Sequence, residues 1–206
     1  QSVVAPTHML NELILKGSGR TYDSLQSEHR LSEYSFTLLE STFREITHKQ
    51  WNQTDFISFG LVNDKGCLTN AGILMADQNI LRHSRIFCTR WNGVDKGSVF
   101  DDALDTREIS GSLISQFQNS ISFIKANTKL RFKKEGSVRI DKPDYAERAY
   151  TEALVNALIH RSYTDVGTEI HIDIFNDRME IWSPGGMYEG KPIQERELST
   201  MDSRRR

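Results

Sequence analysis

The chain has 206 residues, with 26 Lys and Arg set against 28 Asp and Glu for a net charge of −2. That balance excludes a globally basic nucleic-acid surface. No apolar run approaches the roughly 18 residues that span a bilayer, no signal peptide is visible, and 37% hydrophobic residues fit an ordinary globular chain of one large domain or a domain with an appendage.

Taken in order, Gln1 to Lys16 reads as a short extended piece followed by a helix from Thr7. The first residue is Gln rather than Met, which suggests an excised piece of a longer protein. Gly17 to Arg30 is polar and turn-rich, the best linker candidate. Leu31 to Lys49 carries Leu31, Tyr34, Phe36, Leu38, Leu39, Phe43 and Ile46, an amphipathic pattern that suits a core-facing helix or a winged-helix DNA reader. Phe56 to Val62 reads as a strand, Asn63 to Gly66 as a turn, and Thr69 caps a short helix reaching Ala76. Ser84 to Trp91 is a strand. Ser110 to Thr128 is the longest helix, with Ile109, Leu113, Phe117, Ile121 and Ile124 repeating at spacings of four or three.

Leu130 to Ile140 reads as a hairpin turned at Glu135-Gly136. Its Lys129-Leu-Arg-Phe-Lys-Lys134 segment fits either a local basic patch or an exposed edge strand blunted by lysine. Cys67 and Cys88 lack metal-type spacing and read as reduced thiols of a cytoplasmic protein, one disulfide being the alternative. His171 and Asp173 share a strand face, but nothing supplies a third metal ligand. The terminal Arg204-Arg-Arg206 reads as a solvated stub.

Pro143 introduces the most informative segment, Tyr150-Thr-Glu-Ala-Leu-Val-Asn-Ala-Leu-Ile-His-Arg161. Glu152 and Asn156 stand four residues apart and therefore stack on one helix face. Ala149, Ala153, Leu154, Val155, Ala157, Leu158 and Ile159 cover most of the circumference, so the helix is expected to be largely buried. A solvated stripe of Arg148, Glu152, Asn156 and His160 is the alternative. Thr168 to Phe175 alternates apolar and polar, Asn176-Asp177 turns the chain, and Met179 to Trp182 alternates again, which makes a β-hairpin. The returning strand runs into Ser183-Pro-Gly-Gly186, where adjacent glycines permit positive φ and close approach to a ligand.

A Glu-x-x-x-Asn helix, a hairpin and a glycine loop in that order resemble the GHKL ATP-binding fold of gyrase-type topoisomerases, MutL proteins and histidine kinases. More closely, Glu152 to Tyr163 with Phe175 to Gly186 resembles the RecG-like C-terminal ATPase family of predicted transcriptional regulators and helicase-related proteins. The close likeness covers about residues 144 to 206, with a weaker one through Leu68 to Leu74. The resemblance implies ATP and magnesium as cofactors. Asn156 would be the magnesium ligand, Glu152 the carboxylate that orients or deprotonates the attacking water, and Gly185 and Gly186 the backbone cradle. His160 and Arg161 would reach phosphate, or simply offset the helix dipole. The family also implies an N-terminal Schlafen/AlbA-type domain that contacts DNA.

Two departures limit the resemblance. GHKL chains place an Asp before the glycines to bind the adenine amino group, where this chain has Ser183-Pro184, and the Asp that commonly follows His-Arg is Ser162. The family's lid and further strands would follow Gly186, so the site is expected to be truncated.

The expected fold is α+β, a mixed or antiparallel sheet with helices on one face and a GHKL-like C-terminal part. Residues 1–30 would be the tail of a preceding domain plus linker, 31–140 a middle region, and 141–206 the ATP-binding region. One functional reading is an ATP-binding, ATP-hydrolysing module of a DNA-linked transcriptional regulator. The other is a non-catalytic scaffold or dimerisation module with a degenerate pocket. The expected partners are nucleotide and, through a domain outside the fragment, DNA; a homo-oligomer fits either reading. The fragment alone is expected to bind DNA weakly or not at all.

Overall fold

Two separate apolar clusters organise the chain in a computed structural model that describes residues 7–135 and 138–185. Gly186, the tip residue Gly136 and Arg204–Arg206 lie outside the described residues.

The first cluster joins Phe36, Phe56, Leu61, Val62, Leu68, Ile73 and Ala76. After α1 (Thr7–Gly17) and a 3-10 turn (Tyr22–Ser24), β1 (Gln26–Arg30) pairs antiparallel with β2 (Cys67–Thr69). The segment expected to be a linker therefore contributes a strand. Charged residues hide it from a hydrophobicity pattern, because only alternate positions are half-buried.

A second 3-10 turn (Leu31–Glu33) precedes α2 (Thr37–Thr47). The Asp77 carboxylate accepts from the backbone N–H groups of Thr37 at 2.7 Å and Leu38 at 3.2 Å, so it satisfies two of that helix's orphan donors from forty residues away. Residues 53–58 form α3 (Gln53–Ser58), not the strand expected from Phe56. The Asn52 N–H donates to the Asp55 carboxylate at 2.7 Å, a local N-terminal bond that an apolar count misses. Thr69 caps α4 (Asn70–Met75) as expected, accepting from the Gly72 N–H at 3.2 Å. A Cβ on Gly72 would stand 2.2 Å from the Leu61 carbonyl oxygen, so that helix docks only with glycine there.

The second cluster is the core of a four-stranded sheet in the order β4-β3-β7-β8, formed by β3 (Ile86–Trp91), β4 (Ala103–Ile109), β7 (Ile170–Ile174) and β8 (Met179–Trp182). β3 and β7 run parallel and the two outer pairs antiparallel, so the sheet is mixed. Ile86, Cys88, Ile109, Ile170, Ile172 and Ile174 face α5 (Leu113–Asn127) and α6 (Glu147–His160). Those helices contribute Phe123, Ile124, Tyr150, Leu154, Ala157 and Leu158. The fold is thus α+β with these two helices on one sheet face. Gln116, fully buried in α5, donates to the Ser84 and Gly111 carbonyl oxygens, each at 2.9 Å, and ties the start of β3 to the helix. Burial pushes the Cys88 thiol up to about 12, and both cysteines are free. Between α5 and α6 stands a separate two-stranded ribbon, β5 (Leu130–Glu135) with β6 (Val138–Pro143).

Among the described residues, no helix is long and apolar enough to cross a membrane.

Candidate nucleotide site

The helix α6 is amphipathic rather than buried all round. Tyr150, Leu154, Ala157 and Leu158 enter the core, while Ala149, Glu152, Ala153, Asn156 and Ile159 are exposed. The spacing set both polar residues on one face as expected, but that face is open. The reason lies in the layer order: the sheet covers one side of the helix, and none of the described elements covers the other. Neither Glu152 nor Asn156 is engaged in a side-chain hydrogen bond or ion pair among the described residues, so a carboxylate and a carboxamide stand uncommitted one turn apart.

The glycine loop docks against the end of this helix. The Ser162 N–H donates to the Pro184 carbonyl at 2.8 Å, and the Ser183 hydroxyl donates to the Ala157 carbonyl at 2.8 Å. Ala157 follows Asn156 directly. Gly185 has φ +133, and a Cβ built on it would stand 3.3 Å from both the His160 carbonyl oxygen and the Ser162 nitrogen. The positive φ therefore favours glycine, and the tight approach leaves a side chain little room. Sequence reasoning missed Ser162 and Ser183 as anchors, since their partners lie twenty residues or more away.

Arg161 is placed differently from a phosphate-reaching side chain. It is 3% exposed, and its Nη2 donates to the His83 carbonyl at 2.8 Å and the Thr168 carbonyl at 2.6 Å. The guanidinium lies 5.2 Å from the Tyr163 ring centroid, and desolvation lowers its pKa from the ordinary value. Arg161 thus holds the 161–168 loop against the start of β3, and through Ser162 supports the glycine loop. His160 is half-buried at the last turn of α6, and its carbonyl faces Gly185. Gly186 lies beyond the described residues.

On the sheet face opposite the helices, Asp173 accepts from Trp91 Nε1 and Lys96 Nζ, both at 2.7 Å. That pairing makes Asp173 a latch for the loop after β3, and His171 stacks on Phe87 at 5.6 Å. Among the described residues, no cluster of three or more His, Cys, Asp or Glu is arranged to hold a metal ion. A groove of about 360 Å³ lined by Thr37, Glu40, Ser41, Arg44, Gln50 and Trp51 belongs to the N-terminal unit and contains no residue of α6.

Residues 167–206 match the family model described as "Putative ATP-dependent DNA helicase recG C-terminal". The match supports a RecG-like, ATPase-type family. It begins just before β7 and takes in β8 and the glycine loop. Among solved structures, the DIP2311 protein from Corynebacterium diphtheriae is similar with a TM-score of 0.66 at 17% identity, over 90% of this chain and 38% of that one. At that identity the likeness is one of fold, and this chain spans well under half of that protein. A comparison with curated proteins finds no match.

Proposed function

We propose that α6 and the Ser183–Gly185 loop form the phosphate side of a GHKL-type nucleotide site, within an ATP-binding and ATP-hydrolysing module of a DNA-linked regulator. The observation that carries this reading is the docking of the glycine loop on the helix. Ser162 N–H to Pro184 carbonyl at 2.8 Å fixes a left-handed Gly185 beside the C-terminal turn of a helix whose open face carries Glu152 and Asn156.

The donor set fits the implied cofactor. Magnesium retains several waters and takes one or two protein oxygens together with phosphate oxygens, and Asn156 offers one uncommitted carboxamide oxygen. Bound magnesium would neutralise developing charge on the transferred phosphoryl group. Glu152, one turn earlier, would orient the attacking water or accept its proton. Gly185 would let the backbone approach the nucleotide. Arg161 keeps the supporting loop in place from within the protein.

Calorimetric titration with Mg-ATP tests the reading. Binding is expected in the micromolar range. Asn156→Ala should weaken it at least tenfold, about 1.4 kcal/mol or more, and absence of any binding to the wild-type chain sinks the proposal. Glu152→Ala should keep the affinity and lose about a hundredfold or more in turnover. Turnover equal to wild type would remove the water-activating role.

One observation bears on the base side of the site. Ser183, which stands where the family carries its adenine-binding Asp, commits its hydroxyl to the Ala157 carbonyl. On this account base recognition is weak, and GTP should bind within a few-fold of ATP.

A further inference from the structure

We propose that Tyr22 of the N-terminal unit and Tyr163 are positioning residues for the nucleotide site, holding the glycine loop in place at the end of α6. The inference rests on the nucleotide reading above for its consequence, and on hydrogen bonds and ring contacts for its geometry.

The last four carbonyls of an α-helix have no partner within it. In α6 two of them take side-chain hydroxyls. The Ala157 carbonyl accepts from Ser183 at 2.8 Å, and the Leu158 carbonyl accepts from the Tyr163 hydroxyl at 2.8 Å inside the protein. The first hydroxyl belongs to the glycine loop and the second to the 161–168 loop. Between them, the Ser162 N–H donates to the Pro184 carbonyl at 2.8 Å. One helix end thus fixes both loops, and the loops fix each other.

Tyr163 carries this cap to the other unit. Its ring stacks on Tyr22 at 5.9 Å with 15° between the planes, within the range where offset aromatic rings attract. Tyr22 is anchored in turn by the first residue of α4. The Asn70 side-chain amide donates to the Tyr22 carbonyl at 2.9 Å, and the Asn70 N–H donates to the Leu25 carbonyl at 2.9 Å. From the same helix, Ile73 enters the N-terminal cluster. Neither tyrosine lies within residues 167–206, so the matched family pattern assigns neither a role.

A buried cation shows why Tyr22 matters. Arg161 lies 5.2 Å from the Tyr163 ring centroid, and its Nε and Nη1 have no hydrogen-bond partner among the described residues. Buried donors left unbonded are costly, and water would satisfy them if it entered. Burial raises the pKa of the Tyr22 hydroxyl, and the Arg161 charge, near enough to act on it, opposes the rise. Removing the Tyr22 ring would uncover Tyr163 and let water compete for Arg161, which holds the 161–168 loop through the His83 and Thr168 carbonyls. The Ser162–Pro184 bond would then loosen, and Gly185 would lose its place. A displacement on the order of an ångström is enough to impair a positioned site.

Amide NMR of the chain without nucleotide, together with calorimetry on Mg-ATP, tests the proposal. Tyr22→Ala should shift the Ser162 and Gly185 amides and weaken Mg-ATP binding about fivefold or more. Tyr22→Phe keeps the ring and should restore both to wild type. Tyr163→Phe keeps the stack but loses the bond to Leu158, so it should shift the same amides and weaken binding to a similar extent. Phe56→Leu, a change in the N-terminal cluster, should lower the unfolding temperature and leave those amides and the affinity unchanged. The proposal is overturned if Tyr22→Ala leaves both amides in place or binds Mg-ATP like wild type, if Tyr22→Phe loses as much as Tyr22→Ala, or if Phe56→Leu reproduces the shifts. Absence of Mg-ATP binding to the wild-type chain would remove the nucleotide reading, while the amide shifts would still decide whether the two tyrosines position the loop.

Discussion

Gly185 carries two constraints at once, a φ of +133 and a place 3.3 Å from two backbone atoms of the α6 terminus. Gly185→Ala should therefore lower stability by about 1 to 3 kcal/mol and weaken Mg-ATP binding more than a distant change of equal stability cost, as thermal unfolding and calorimetry together would show. His83 makes a second residue-scale prediction. Its ring Nε2 lies 3.2 Å from the Tyr163 carbonyl, and desolvation depresses its pKa below the ordinary 6.5. The unfolded chain then binds the proton more readily than the folded one. Stability should be fully present above the ordinary value and fall as pH drops below it, toward the depressed folded value. Denaturant titrations from pH 7.5 to about 5 should show that decline. His83→Gln should flatten it, and an unchanged slope would remove His83 as the cause.

Among the elements, α6 links core to site. Leu154, fully buried, faces the sheet from the helix that carries Glu152 and Asn156 outward. Leu154→Ala should cost about 2 to 5 kcal/mol, measurable by urea unfolding, and a cost below 1 kcal/mol would mean the helix is not docked as described. The same helix shows what the sequence makes legible. The α6, β7, β8 and glycine-loop order is readable because each part has its own local period or turn residues. Which side of α6 stays open is not readable, since that depends on the layers around it. The strand β4 carries Asp105, Arg107 and Glu108, and it gains its place by pairing with β3 across a long loop. β1 is hidden in the same way. Phe56 suggested a strand because an apolar run does not reveal its period, and the Asn52–Asp55 bond decides for helix.

At the scale of the molecule, one apolar cluster builds the N-terminal unit and another the sheet with α5 and α6. Between them, the Tyr22 ring stacks on Tyr163 at 5.9 Å, and Tyr163 in turn lies against Arg161. The N-terminal unit thereby reaches the loop that supports Gly185. The roles proposed for Glu152, Asn156 and Gly185 rest on the open face of α6 and the loop docked at its end. Amide NMR of the labelled chain under addition of Mg-ATP probes that assembly most directly. Shifts should concentrate at the Asn156 side chain, the α6 C-terminus and Gly185, and should be lost in Asn156→Ala. Shifts confined to the groove beside Trp51, or none at millimolar nucleotide, would contradict the proposed roles.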